Sequence, residues 1–130
     1  MPFNFTRVQL IILILILILA ASTVTFAFVN AASQALDQQV LLDVTVIREA
    51  LRLDFEENGF YPNSSNGIPN GIETYLNFYP TAVLKGSCQD SAYTYTQKLS
   101  GTDYNLNFCL GHDYNNFRAG NHTANSKAIQ

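Results

Sequence analysis

The chain has 130 residues, 48% of them hydrophobic and 13% charged, with a formal charge of −3. That length allows one domain of ordinary size and excludes a multidomain enzyme, and the acidic balance offers no basic surface for bulk nucleic-acid binding. The averages hide a split, because no charged residue falls between Arg7 and Asp37.

The first predicted element covers residues 8–29, 22 residues without a charge. As a helix it spans roughly 33 Å, close to the ~30 Å of a bilayer's hydrocarbon core. Residues 11–20, IILILILILA, alternate two aliphatic side chains and in water would read as a strand. In lipid the backbone must satisfy its own hydrogen bonds, and the segment is expected as a transmembrane helix. Arg7 is the cation near its start, while Asp37 and Asp43 follow its far end. This bias places the N-terminus in the cytoplasm and the C-terminal part outside it. A cleavable secretory signal competes, since Val29-Asn30-Ala31 before Ala32 supplies small residues for a signal peptidase, although the run exceeds the usual 7–15-residue apolar core.

Beyond Asn30 the helical pattern persists. Leu36, Val40, Val44, Ile47, Leu51 and Phe55 recur at steps of three and four and define one apolar face. No proline or glycine occurs between Thr6 and Asn58, so a single helix of about 50 residues, roughly 75–80 Å long, is expected, with Gly59 as its first stop. The division that follows is residues 1–7 as a short cytoplasmic end, 8–29 as the membrane helix, 30–58 as an amphipathic stalk, and 59–130 as a small extracytoplasmic β head.

Residues 58–71, NGFYPNSSNGIPNG, are dense in turn formers and read as a loop. A short helical turn is expected over 72–78, closed by Pro80. Residues 92–99 (AYTYTQKL) and 104–110 (YNLNFCL) alternate in polarity around Ser100-Gly101-Thr102-Asp103 and predict a β-hairpin. The polar tail from 111 to 130 carries one weak strand signal at 117–123. The fold class is therefore α+β, a long helix packed on a small antiparallel sheet.

Cys88 and Cys109 both lie downstream of the apolar segment, in the part that would be exported, and are expected to form a structural disulfide. They lack the C-x-x-C spacing of redox exchange and make a poor zinc site. His112, Asp113 and His122 invite an acid–base or metal hypothesis, and Asp103 and Asp113 a calcium one, but these residues sit in an Asn/Gly-rich stretch where solvated roles are the rule and no dense D-x-D spacing is present. No catalytic constellation, metal site or cofactor is expected. Asn63-Ser64-Ser65 and Asn121-His122-Thr123 match the glycosylation sequon. The seven tyrosines read first as sheet-face packing, with adhesion or subunit contacts as the alternative.

The order of parts, and above all the phrase ALRLDFEENGFYP at 50–62, resembles bacterial type IV pilins and type II secretion pseudopilins, where a long helix reaches a pattern like "ALELYYxDNGxYP". Residues 104–110 and 118–124 are similar to the ends of small pilin-like proteins. The family's N-terminal signature is a glycine followed by Phe-Thr-Leu-Ile-Glu-Leu. Phe5, Thr6 and Leu10 match it, whereas Asn4 stands at the glycine of the processing site and Gln9 at the glutamate. The resemblance implies a processing site between Asn4 and Phe5, where a side chain in place of the glycine is expected to slow or abolish cleavage. It also implies an assembly role for position 9, where the family's carboxylate pairs with a neighbouring subunit's N-terminal amine. Gln9 hydrogen-bonds but does not neutralise. A lysine-rich leader and the helix-kinking proline common in the family are also missing.

The resemblance thus implies a structural subunit, a minor one, of a pilus or pseudopilus filament. Its partners would be membrane lipid and sister subunits contacted through the N-terminal helix. The alternative is a non-polymerising single-pass membrane protein with a small binding or sensing head. A secreted hydrolase released near Ala31 is the third class, and it lacks a nucleophile–base pair.

Overall fold

A computed structural model describes residues 6–83, 86–88 and 92–130. The chain divides into two compact units, Met1–Ala32 and Ser33–Gln130, and its fold is α+β.

Helix α1 runs over Arg7–Asn58. Nothing in that span removes a backbone donor or adds a flexible glycine, so helical hydrogen bonding propagates without interruption. It stops where expected. Gly59 adopts φ 78°, and its N–H donates to the Phe55 carbonyl at 2.8 Å, the left-handed cap that glycine accepts without a Cβ clash.

In the first unit the large apolar side chains of residues 8–29 that the structure describes are 47–73% exposed. One 18-residue window of α1 reaches a mean hydropathy of 2.9 with none of its residues buried. This is a helix long and apolar enough to cross a membrane.

In the second unit, residues 33–58 of α1 belong with the C-terminal part of the chain. Strands β1 (Ser64–Ser65) and β2 (Ile68–Pro69) form a small hairpin inside the segment expected to be loop. Its turn is Asn66-Gly67, with φ of 52° and 76°, the type I′ geometry that asparagine and glycine tolerate best. The expected helical turn over 72–78 is a shorter 3₁₀ turn, Ile72–Thr74. One turn brings both Ile72 and Leu76 into the core, and Pro80 disfavours helical backbone at Tyr79.

The main sheet has the order β3-β4-β5, antiparallel throughout, from Thr94–Lys98, Asp103–Leu110 and Gly120–Ala124. The expected hairpin is β3 and β4, in register Thr94↔Asn107 through Lys98↔Asp103. The weak tail strand is β5, displaced to 120–124 and paired Leu106↔Ala124 through Leu110↔Gly120. On central β4, Tyr104, Leu106, Phe108 and Leu110 alternate inward and are at most 2% exposed. They meet Val40, Val44, Ile47, Ala50 and Leu51 of α1 in one cluster. Burying a side chain such as Ile47 or Leu51 contributes about 1.5–3 kcal/mol, so this contact carries much of the unit's stability.

The buried helix face is rotated from the predicted stripe. Val40, Val44, Ile47 and Leu51 are buried as expected, but Leu36 and Phe55 are only half-buried, and Asp37 and Asp54 close the two ends of the face instead. The spacing 37, 40, 44, 47, 51, 54 is the regular one, and the two carboxylates occupy it because each finds hydrogen-bond partners there.

Candidate functional site

The apolar helix of the first unit begins with a reciprocal cap. The Thr6 N–H donates to Gln9 Oε1 at 3.0 Å, and the Gln9 N–H donates to Thr6 Oγ1 at 3.4 Å. This is the capping box that Thr-x-x-Gln encodes, and it satisfies donors the helix itself leaves orphaned. Gln9, placed by resemblance at an assembly position, is engaged within its own chain. Asn4 and Phe5, the expected processing pair, lie outside the described residues.

Further along, the polar side chains bond back to the helix. Ser22 Oγ donates to the Leu19 carbonyl at 2.8 Å, Thr23 Oγ1 to Ala20 at 2.9 Å, and Thr25 Oγ1 to Ser22 at 2.9 Å. Hydroxyls satisfied in this way need no water, which suits a segment surrounded by hydrocarbon.

In the second unit, buried and half-buried polar groups pin the helix to its surroundings. Asp37, 3% exposed, accepts the Gly111 N–H at 2.7 Å on Oδ1 and the His112 N–H at 3.1 Å on Oδ2, and Nδ1 of His112 lies 3.1 Å from Oδ2. Asp43 accepts Gln39 Nε2 and the Tyr93 hydroxyl, both at 2.8 Å. Arg48 Nε donates to the Asn125 carbonyl at 3.2 Å. Asp54, 7% exposed, accepts Asn58 Nδ2 at 3.0 Å. Its burial pushes the carboxyl above the ordinary aspartate value, the bond from Asn58 opposes this, and the charge of Glu57 adds to it.

The predicted disulfide is present, joining Cys88 to Cys109. Around it the chain folds tightly. The Ser87 N–H and hydroxyl both reach the Gly111 carbonyl, and a Cβ at Gly86 would stand 2.3 Å from that same oxygen. Gly86 is thus fixed by close approach as well as by its φ of 67°.

Of the seven tyrosines, Tyr61, Tyr93, Tyr95 and Tyr104 are buried in the core, and Tyr75 and Tyr79 pack against it. Tyr95 donates to the Pro62 carbonyl at 2.7 Å. Tyr75 donates to Glu57, and that bond, with burial and the nearby negative charge, pushes its hydroxyl up to about 12. Burial alone raises Tyr79, whose hydroxyl has no partner among the described residues. A groove of about 610 Å³ lies beside these groups, lined by Gln39, Asp43, Val46, Phe78, Pro80 and Val83 among others.

The residues that raised acid–base or metal hypotheses are separated by their partners. His112 pairs with Asp37, Asp113 accepts the Ala119 N–H, and His122 faces the carbonyls of Arg118 and Gln130. Asp103 accepts the N–H groups of Tyr104 and Ser126. Burial pushes its carboxyl up, but those bonds and the charge of Lys127 outweigh this and leave it below the ordinary value. Among the described residues, no group of three or more His, Cys, Asp or Glu side chains is placed to hold a metal ion.

Sequence reasoning missed the Thr6–Gln9 cap, which the T-x-x-Q spacing carries openly. It also missed Asp37 and Asp54, for which the signal was helical spacing continued through polar residues. Comparison with protein-family models, with curated proteins and with solved structures finds no match to this chain.

Proposed function

We propose that this chain is a structural subunit of a pilin-like filament, a minor one, anchored in the membrane by its N-terminal helix before assembly and packed through that helix against sister subunits afterwards. The observation that carries the reading is the exposure of every described large apolar side chain from Val8 to Val29 on a helix that continues unbroken to Asn58. Such a surface needs lipid or other apolar helices around it. The similarity of residues 50–62 and of Phe5, Thr6 and Leu10 to pilin sequences supports the choice of sister helices. In this reading the C-terminal unit, closed by Cys88–Cys109, faces the extracytoplasmic side and presents the filament's outer surface. The chain acts by polymerising and not by catalysis.

One observation favours a second reading, a single-pass membrane protein that never polymerises. Gln9 is engaged by Thr6 of its own chain and carries no charge to pair with a neighbour's amine. The intact mass and N-terminal sequence of the protein from membrane and sheared-filament fractions separate the two. A chain starting at Phe5 in sheared filaments is expected of the subunit. A chain starting at Met1 and confined to membranes favours the second reading, and a soluble chain starting near Ala32 rules out both.

A further inference from the structure

The edge of β5 that does not face β4 is covered by residues 129–130. The Thr123 N–H donates to the Gln130 carbonyl at 3.1 Å, the Gln130 N–H donates to the Thr123 carbonyl at 2.9 Å, and Ala124 bridges Ile129. A turn over 125–128 makes the return, with the Asn125 N–H on the Ala128 carbonyl at 2.9 Å and the Asn125 side chain accepting the Lys127 and Ala128 N–H groups.

His122 stands at this edge, half-buried. Its ring stacks on Phe108 of β4, with centroids 5.5 Å apart and planes at 27°, and meets Phe117 edge-on at 5.3 Å. Nε2 lies 2.7 Å from the Arg118 carbonyl oxygen, and Nδ1 lies 3.1 Å from that of Gln130. A carbonyl oxygen only accepts, and a neutral imidazole has one N–H to give. One nitrogen of a neutral ring would therefore turn a lone pair on an oxygen at hydrogen-bond distance. The imidazolium donates at both ends and sets its charge on an aromatic face.

The titratable and charged groups on the elements packed around the ring are His112, Asp113, Tyr114 and Arg118 in the stretch before β5, Asp103 and Tyr104 on β4, Lys127 in the turn, and Arg48 of α1, which reaches the Asn125 carbonyl. His112 is held by Asp37, Asp113 by the Ala119 N–H, and Asp103 by the N–H groups of Tyr104 and Ser126. Among the described residues, none of these side chains forms an ion pair or hydrogen bond with His122. The second proton on the ring is thus answered by backbone dipoles and not by a carboxylate.

We propose that His122 is a proton-operated clasp on the β5 edge. Doubly protonated, the ring ties both the Arg118 stretch and Gln130 to β5. On losing a proton it keeps the shorter bond to Arg118 and gives up the one to Gln130, so residues 129–130 loosen and the Thr123 N–H and carbonyl open to another strand. The clasped state holds one proton more than the loosened one. Its hold is therefore full toward acid and weakens as pH rises through the range of about 5 to 8 in which imidazoles ordinarily change charge. The clasp lies wholly within the C-terminal unit and operates whether or not the chain polymerises.

The test is amide hydrogen exchange of the full chain in detergent micelles, followed by ¹⁵N NMR at about pH 5 and about pH 8 and expressed as protection relative to an unstructured chain at the same pH. Protection of Thr123 and Gln130 should fall about ten-fold between the two, the effect of one hydrogen bond, while protection within the β3–β4 ladder stays constant. His122→Gln should abolish the fall and show the weaker protection at both pH values. His112→Gln, which replaces the other histidine of the chain, should preserve it. The clasp is overturned if Thr123 and Gln130 of the unsubstituted chain are equally protected at both pH values, a result that needs no variant. It is also overturned if the fall persists in His122→Gln or disappears in His112→Gln, each read on a chain whose β3–β4 protection shows it folded.

Discussion

The Asp37 carboxylate holds the Gly111 N–H at 2.7 Å although 74 residues separate the two in the chain. It takes the His112 N–H as well, so one buried side chain of α1 fixes the point where β4 ends. Charge-assisted bonds of this kind are stronger than neutral ones. Asp37→Ala leaves two backbone donors unpaired and is expected to cost about 2–3 kcal/mol, read as a fall in the urea midpoint. Asp37→Asn should recover only part of this, because an amide presents one acceptor where the carboxylate presents two.

Asp54 acts in the opposite sense. Its carboxyl is raised in the folded chain, first by burial, so the folded state binds the proton more readily than the unfolded one. Stability contributed by this group is present at low pH and declines as pH rises from the ordinary aspartate value through the raised one. Asp54→Asn is therefore expected to raise the Tm at neutral pH and to flatten the pH dependence in that acidic window, measured by thermal melts across pH 3 to 7. An unchanged slope contradicts the assignment.

Opening the Cys88–Cys109 bond releases a loop with a sequence separation of 21. Replacing both cysteines by serine should cost about 3 kcal/mol. Gly86→Ala should cost about 2 kcal/mol or more with the disulfide intact, because the new Cβ meets the Gly111 carbonyl at 2.3 Å. Denaturant titration of the double-serine variant, and of Gly86→Ala with and without reductant, separates the two contributions.

A charge in the apolar helix addresses the membrane. Ile14→Lys or Leu17→Asp places an ion at the centre of residues 8–29, where insertion costs about 2.5–3.5 kcal/mol per charge. Membrane fractionation should show the variant protein lost from the membrane pellet, whereas a normal distribution argues against lipid insertion.

Much of this fold is legible in the sequence. The absence of glycine and proline up to Gly59 bounds α1, and the alternation at 92–99 and 104–110 gives the central hairpin and the sheet's inner face. Asp37 and Asp54 were not legible because a hydrophobic stripe is read from apolar residues, while these two are buried through partners supplied by distant or capping residues. The β1–β2 hairpin escaped notice because Asn66-Gly67 is flanked by serines and a proline, without the apolar alternation that accompanies the usual hairpin.

The proposed packing of residues 8–29 against sister subunits is open to photo-crosslinking, with the reactive side chain placed in turn at Ile14, Leu17 and Ile18 and activated in intact membranes and in any sheared filaments. Side-by-side assembly predicts covalent dimers and a ladder of higher multiples that depend on the probe's position around the helix. A chain that crosslinks to lipid alone and stays monomeric at every position contradicts it.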